Sequence, residues 1–179
     1  AEFARQMAEF APLGLRLAGG CCGTAPDYIR ELRATLEPLP CPRREKISPA
    51  AVCSALKTLE LSGVHIIGER INPTGKKRFQ QALLEQDLDY ILAQGAAQAD
   101  AGADILDVNV GHPGVDEPAL MQKTVRELQG AIGLPLQIDS SDPAAIEAGL
   151  RAFHGVGIVN SVNGEEENLR KILPLVKKY

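Results

Sequence analysis

The chain has 179 residues, 45% of them hydrophobic, with a formal net charge of −4. That composition supports a buried core in one domain or two small ones, and the mild acidity with only short basic clusters, Arg43-Arg44 and Lys76-Lys77-Arg78, argues against a nucleic-acid partner. No apolar run reaches the roughly 18–20 residues that a bilayer requires and no signal-peptide pattern is present, so a cytoplasmic protein with no membrane partner is expected.

Residues 2–11 predict a short helix, and Leu13 to Leu17 reads as a brief buried strand that opens onto Gly19-Gly20-Cys21-Cys22-Gly23-Thr24. Thr24 with Asp27 is a capping-box variant, Pro26 suits a first helical turn, and Ile29, Leu32 and Leu36 carry helical spacing. Cys21 and Cys22 therefore lie between a strand and a helix. Neighbouring side chains on a regular strand point to opposite faces, so the two thiols can share a metal only where the backbone leaves extended geometry. The flanking glycines permit that departure; buried structural thiols are the other reading. Pro38, Pro40, Pro42 and the charged run Arg43 to Lys46 then interrupt the periodicity, which sets a linker at 37–63. Cys41 and Cys53, inside it, have no C-x-x-C spacing and read as ordinary reduced thiols.

From Val64 the patterns alternate strand and helix, which predicts an α/β fold: a partial TIM-type (βα) barrel of about four βα units over 64–179. The strands are Val64 to Ile67 running into Gly68-Glu69-Arg70-Ile71-Asn72-Pro73-Thr74-Gly75, then Ile105 to Asn109, Leu136 to Ser141 and Ile158 to Asn163. Between them, Leu83, Leu84, Leu88, Ile91 and Leu92 predict one helical face, Leu120, Thr124, Val125 and Leu128 a second, and Asp142-Pro143 a capped helix start ahead of Ile146 and Leu150. A last helix opens on Glu165-Glu166-Glu167 and closes on Lys177-Lys178, with Pro174 expected to kink or shorten it. No fifth strand follows, so the two sheet edges are expected to stay open and to favour association between copies of the chain, a homo-oligomer.

Strand C-termini of such a barrel share one face, so Glu69, Asn72, Asp107, Asn109, Asp139 and Asn160 are expected to converge on one pocket. Each residue type also has a structural use. Asp139 and the serines after it can cap the next helix, Asn160 can be a turn amide, Asp107 and Asn109 can satisfy loop backbone, and Glu69 can pair with Arg70 in solvent.

The run Gly19 to Thr24 resembles the final strand-loop of the homocysteine S-methyltransferase barrel. From Gly68 on, the succession Gly-Glu-Arg-Ile-Asn, Leu-Asp-Val-Asn, Ile-Asp-Ser-Ser and Ile-Val-Asn-Ser is similar to the pterin-binding barrel of the cobalamin-dependent methionine synthase family, where the two domains occur in this order. The resemblance covers nearly the whole chain. It implies residues 1–36 as the tail of a homocysteine domain, the last strand-helix unit of a first barrel, and 64–179 as the first half of a methyltetrahydrofolate domain. It further implies Cys21 and Cys22 as two of three zinc ligands, the third upstream of Ala1. Asp139 and Asn160 match the residues that hydrogen-bond the pterin and carry its chemistry, with Glu69, Asn72, Asp107 and Asn109 as walls. The implied reaction moves a methyl group from 5-methyltetrahydrofolate through cobalamin, held on another domain, to homocysteine, forming methionine. A methyltetrahydrofolate:corrinoid protein methyltransferase matches the second half alone, dihydropteroate synthase shares the pterin logic, and a non-catalytic pterin-binding fragment is the alternative from another class.

Overall fold

The computed structural model describes residues 2–40 and 49–179. Cys41, Pro42 and the charged run Arg43 to Lys46 lie outside the described residues. The chain divides into two compact units, Ala1–Ile47 and Ser48–Tyr179.

In the first unit, α1 (Glu2–Ala8) packs on α2 (Pro26–Leu36), with Ala4 and Leu32 buried and the Phe3 and Tyr28 rings edge to face at 6.3 Å. The strand expected over Leu13 to Leu17 does not form. Ala11–Leu13 is instead a 3-10 turn, Gly14 adopts φ 90° and reverses the chain, and Leu17 is 91% exposed. Thr24 does not cap α2 either. The N-cap is Ala25, and the Thr24 hydroxyl accepts the Cys21 N–H at 3.0 Å, closing the glycine-rich turn.

The second unit opens with an antiparallel hairpin, β1 (Ala51–Cys53) and β2 (Thr58–Glu60), inside the stretch whose composition suggests linker. Ser54 ties its turn by accepting the Leu56 and Lys57 N–H groups, and its own hydroxyl donates to the Gly133 carbonyl at 2.7 Å. Cys53 and Val156 exchange both backbone hydrogen bonds at 2.9 Å. The hairpin therefore rests on the loops that enter the third and fourth strands of the main sheet.

That sheet is β3 (Ile67–Ile71), β4 (Ile105–Val108), β5 (Leu136–Asp139) and β6 (Ile158–Asn160), all parallel and adjacent in chain order. The connections are α3 (Lys77–Glu85) with α4 (Leu88–Asp100), α5 (Glu117–Ala131) and α6 (Pro143–Ala152), and α7 (Glu166–Lys178) follows β6. This is the expected partial βα barrel of four units. All four residues of β4 are buried, and Leu106, Val108, Leu136 and Ile138 join Leu83, Ile91, Met121, Val125 and Leu128 in one core, each worth roughly 1.5–3 kcal/mol when removed from water.

The first connection is two helices where periodicity suggested one face. Gln86 takes φ 53°, and Asp87 restarts the helix by accepting the Tyr90 N–H at 3.1 Å while Arg78 donates to it at 2.7 Å. Leu84 is left 53% exposed. Asp142 caps α6 through the Ala144 N–H at 2.9 Å, with Pro143 first in the helix, as the sequence predicts. Pro174 does not shorten α7, which continues to Lys178.

The β3–β4 register shifts between Gly68 and Ile71, and buried Gln98 from α4 fills the irregularity: its carbonyl accepts the Arg70 N–H at 2.6 Å. A Cβ on Gly68 would lie 2.6 Å from that same oxygen, so a larger residue here would displace the Gln98 side chain from the irregularity.

Candidate functional site

Side chains two apart on a strand share a face, and the parallel register stacks them in rows. Asp107 pairs with Gln137 and Asp139 with Asn160 as register partners. Asp107 and Asn109 thus share a face of β4 and its extension, as do Gln137 and Asp139 on β5. In each row a hydrogen bond joins the β4 residue to its β5 neighbour. Gln137 donates its amide to Asp107 Oδ1, and Asn109 Nδ2 donates to Asp139 Oδ2 at 3.0 Å.

The rows differ in solvent. Asp107 is 1% exposed, and its second oxygen has no partner at hydrogen-bonding geometry. Burial is the main force pushing its pKa up to about 6; the Gln137 bond opposes the rise, the Asp139 charge adds to it, the nearby Asn160 amide opposes it, and the Glu69 charge adds again. Asn109 and Asp139 are only partly buried and border a polar groove of about 340 Å³ that also runs past Ser141, Ser161 and Asn163. A second recess of about 380 Å³ shares Asn109, Ser140 and Ser141 and extends to Gly111, His112 and Glu117.

Four of the six residues expected at the pocket are thereby brought together: Asp107, Asn109, Asp139 and Asn160. Glu69, within β3, and Asn72, in the loop that follows it, bind each other, Asn72 Nδ2 donating to Glu69 Oε1 at 3.1 Å. Asn72 Oδ1 accepts the Thr74 N–H, and Lys76 Nζ donates to the Glu69 and Asn72 carbonyls, both at 3.1 Å, which fixes that loop. Among the described residues no ion pair joins Glu69 to Arg70; the glutamate's partner is Asn72.

A family model described as pterin binding enzyme matches residues 68–179. The chain belongs to the pterin-binding enzyme family. A second family model, homocysteine S-methyltransferase, matches residues 1–36. Over 99% of its length the chain is 34% identical to methionine synthase of Mycobacterium tuberculosis and 33% identical to that of Mycobacterium leprae, and it spans 16% of the length of each. Among solved structures, dihydropteroate synthase of Xanthomonas albilineans, determined with indole-2-carboxylic acid and 6-chloroguanine, matches with a TM-score of 0.50 and 22% identity over 72% of this chain and 47% of that one. That likeness is one of fold, and it agrees with the partial TIM-type (βα) barrel of four units.

Within this pterin-binding barrel, two polar residues escape a reading of strand ends alone. Gln137 was legible, because it stands two positions before Asp139 on the same face. Glu117 was not: it is the first residue of α5, yet its carboxylate accepts the hydroxyl of Ser140 at the end of another strand.

In the first unit, Cys21 and Cys22 are both exposed, with their sulfurs 3.9 Å apart. Two thiolates on one tetrahedral zinc, at about 2.3 Å each, stand roughly 3.8 Å apart, so the pair suits two corners of such a site. Among the described residues no three His, Cys, Asp or Glu side chains cluster to complete it.

Proposed function

We propose that the C-terminal face of this barrel binds the pterin ring of 5-methyltetrahydrofolate, and that the longer protein transfers its methyl group by way of cobalamin to homocysteine, forming methionine. The observation that carries the reading is the row Asn109, Asp139 and Asn160 at three consecutive strand ends, over the buried Asp107. Asp139 is a carboxylate with lone pairs open to the groove, suited to accept paired N–H groups from a pterin edge, and Asn109 holds it by donating from the side. Asn160 is an amide able both to donate and to accept, so it can follow N5 as that nitrogen changes its bonding during methyl loss. The methyl leaves N5 with its carbon–nitrogen electron pair remaining on nitrogen, and a preorganised donor there stabilises the departing group. Glu69 and Asn72 form the wall beside it. The corrinoid, carried on another domain, supplies the methyl acceptor.

Cys21 and Cys22 supply two thiolates for zinc, which when bound lowers the pKa of the homocysteine thiol. The match of residues 1–36 to homocysteine S-methyltransferase supports this over a corrinoid-protein methyltransferase that lacks a homocysteine domain. For the location, the structure offers that no described helix is long and apolar enough to cross a membrane, and we place the protein in the cytoplasm.

Calorimetric titration of the chain with 5-methyltetrahydrofolate is the direct test. Weak saturable binding that Asp139→Asn and Asn160→Ala each reduce is expected, with no turnover by the isolated chain. Binding indifferent to both substitutions would refute the site. Carbon–nitrogen bond formation with a pterin substrate, in place of labelled-methyl transfer to cob(I)alamin by the longer protein, would refute the reaction.

A further inference from the structure

We infer that Glu117 is a positioning residue: from the first turn of α5 it latches the loop after β5 to the loop after β4 and so holds the Asn109–Asp139 pair in register. The circuit is closed. Ser140 follows Asp139 directly, and its buried hydroxyl donates to Glu117 Oε1 while accepting the Asp142 N–H at 2.9 Å. The Ser140 N–H donates to the Asn160 carbonyl at 2.8 Å, which binds the same loop to the third member of the row. On the other side, Asn109 Oδ1 accepts the Gly111 N–H at 3.0 Å, so the amide that donates to Asp139 has its second end pinned to the β4–α5 loop. Gly111 in turn lies against Glu117: a Cβ there would stand 3.2 Å from both carboxylate oxygens. One carboxylate thus bears on both loops that carry the pair.

An N-terminal helical carboxylate is ordinarily explained by the helix dipole. Here a second function is visible, because the side chain reaches a buried hydroxyl 23 positions along the chain, on the strand end that carries Asp139. Glu117 lines the recess beside the groove and bears on Asp139 indirectly, through Ser140 and through the Gly111–Asn109 side. The inference rests on the pterin reading for its consequence, though not for its geometry.

The test separates the two. The side-chain amide resonances of Asn109, observed by heteronuclear NMR on the full chain, report the hydrogen bond to Asp139. Glu117→Ala is expected to shift them and to weaken 5-methyltetrahydrofolate binding about tenfold, the equivalent of one lost hydrogen bond. Glu117→Gln, which keeps an oxygen acceptor for Ser140, is expected to restore both. Should Glu117→Ala fail to fold, Ser140→Ala removes the same bond from the other partner and is expected to give the same shift. A folded variant with unmoved Asn109 resonances and unchanged affinity overturns the latch. Resonances that move as expected in a chain that binds no pterin support the latch and sink the functional reading.

Discussion

Asp107 and Gln137 face each other across β4 and β5, and the Gln137 amide donates to the Asp107 carboxylate one row below the Asn109–Asp139 pair. Two carboxylates of the same site are therefore in different states of solvation, and they should answer differently to the same substitution.

Asp139→Asn replaces an acceptor with a donor on the open row, beside an Asn109 amide that already donates to it. The loss expected in pterin binding is about 1.5–3 kcal/mol, the range for a hydrogen bond to a charged group. Asp107→Asn changes a buried side chain whose partner can reorient, and its effect on affinity should be smaller. Equal losses by calorimetry would show that the two rows do not divide binding in this way.

Asp107 also makes stability depend on pH. Its folded-state pKa is raised to about 6 from 3.8, so the folded chain holds this proton more tightly than the unfolded chain does. The contribution is fully present below pH 3.8 and is lost as pH rises through about 6, up to about 3 kcal/mol and less to the extent that the polar surroundings relax. Asp107→Asn should remove this pH-dependent loss and make the chain more stable than wild type at pH 7.5. Urea unfolding of both proteins at pH 4 and 7.5 measures it; parallel curves would contradict the assignment.

Gly155→Ala should detach the hairpin. A Cβ at Gly155 would fall 2.0 Å from the Cys53 carbonyl oxygen, an atom held by its hydrogen bond from Val156. Backbone on both sides must then move, at a cost of about 2 kcal/mol or more. The expected result is a lower urea midpoint together with loss of hydrogen-exchange protection at the Cys53 and Val156 amides. Retained protection would mean that the contact is dispensable.

Zinc should be held weakly by this chain. Cys21 and Cys22 provide two ligands, half of a tetrahedral shell, and the described residues supply no third. Dialysis against a mild chelator is expected to strip added zinc. Stoichiometric metal that survives it, and that Cys21→Ser removes, would show that a further ligand exists.

Among the described residues, β3 and β6 each pair with a strand on one side only, and Val64, Ile66 and Ile67 are exposed beside the β3 edge. Open edges of this kind recruit other strands, so the chain is expected to associate as concentration rises, and Ile66→Lys to weaken that association. Sedimentation velocity showing a monomer at every concentration would remove the idea.

The alternation of strand and helix, the polar residue at each strand end and the Asp142-Pro143 helix start were all legible in the sequence, because each depends on neighbours within a few positions. A period of two was enough to put Asp107 with Asn109 on one face. What the tertiary structure alone decided involves partners far apart in the chain. A proline-rich stretch read as linker contains a hairpin because Cys53 and Ser54 find backbone partners at Val156 and Gly133. The protonation of Asp107 is set by burial and by a glutamine on the next strand, Asp139 is held by an amide from the strand beside it, and the Ser140 hydroxyl next to it by a glutamate from a helix start. Desolvation and cross-strand hydrogen bonds are properties of the assembled barrel, since they depend on which distant groups exclude water from a side chain and which reach it.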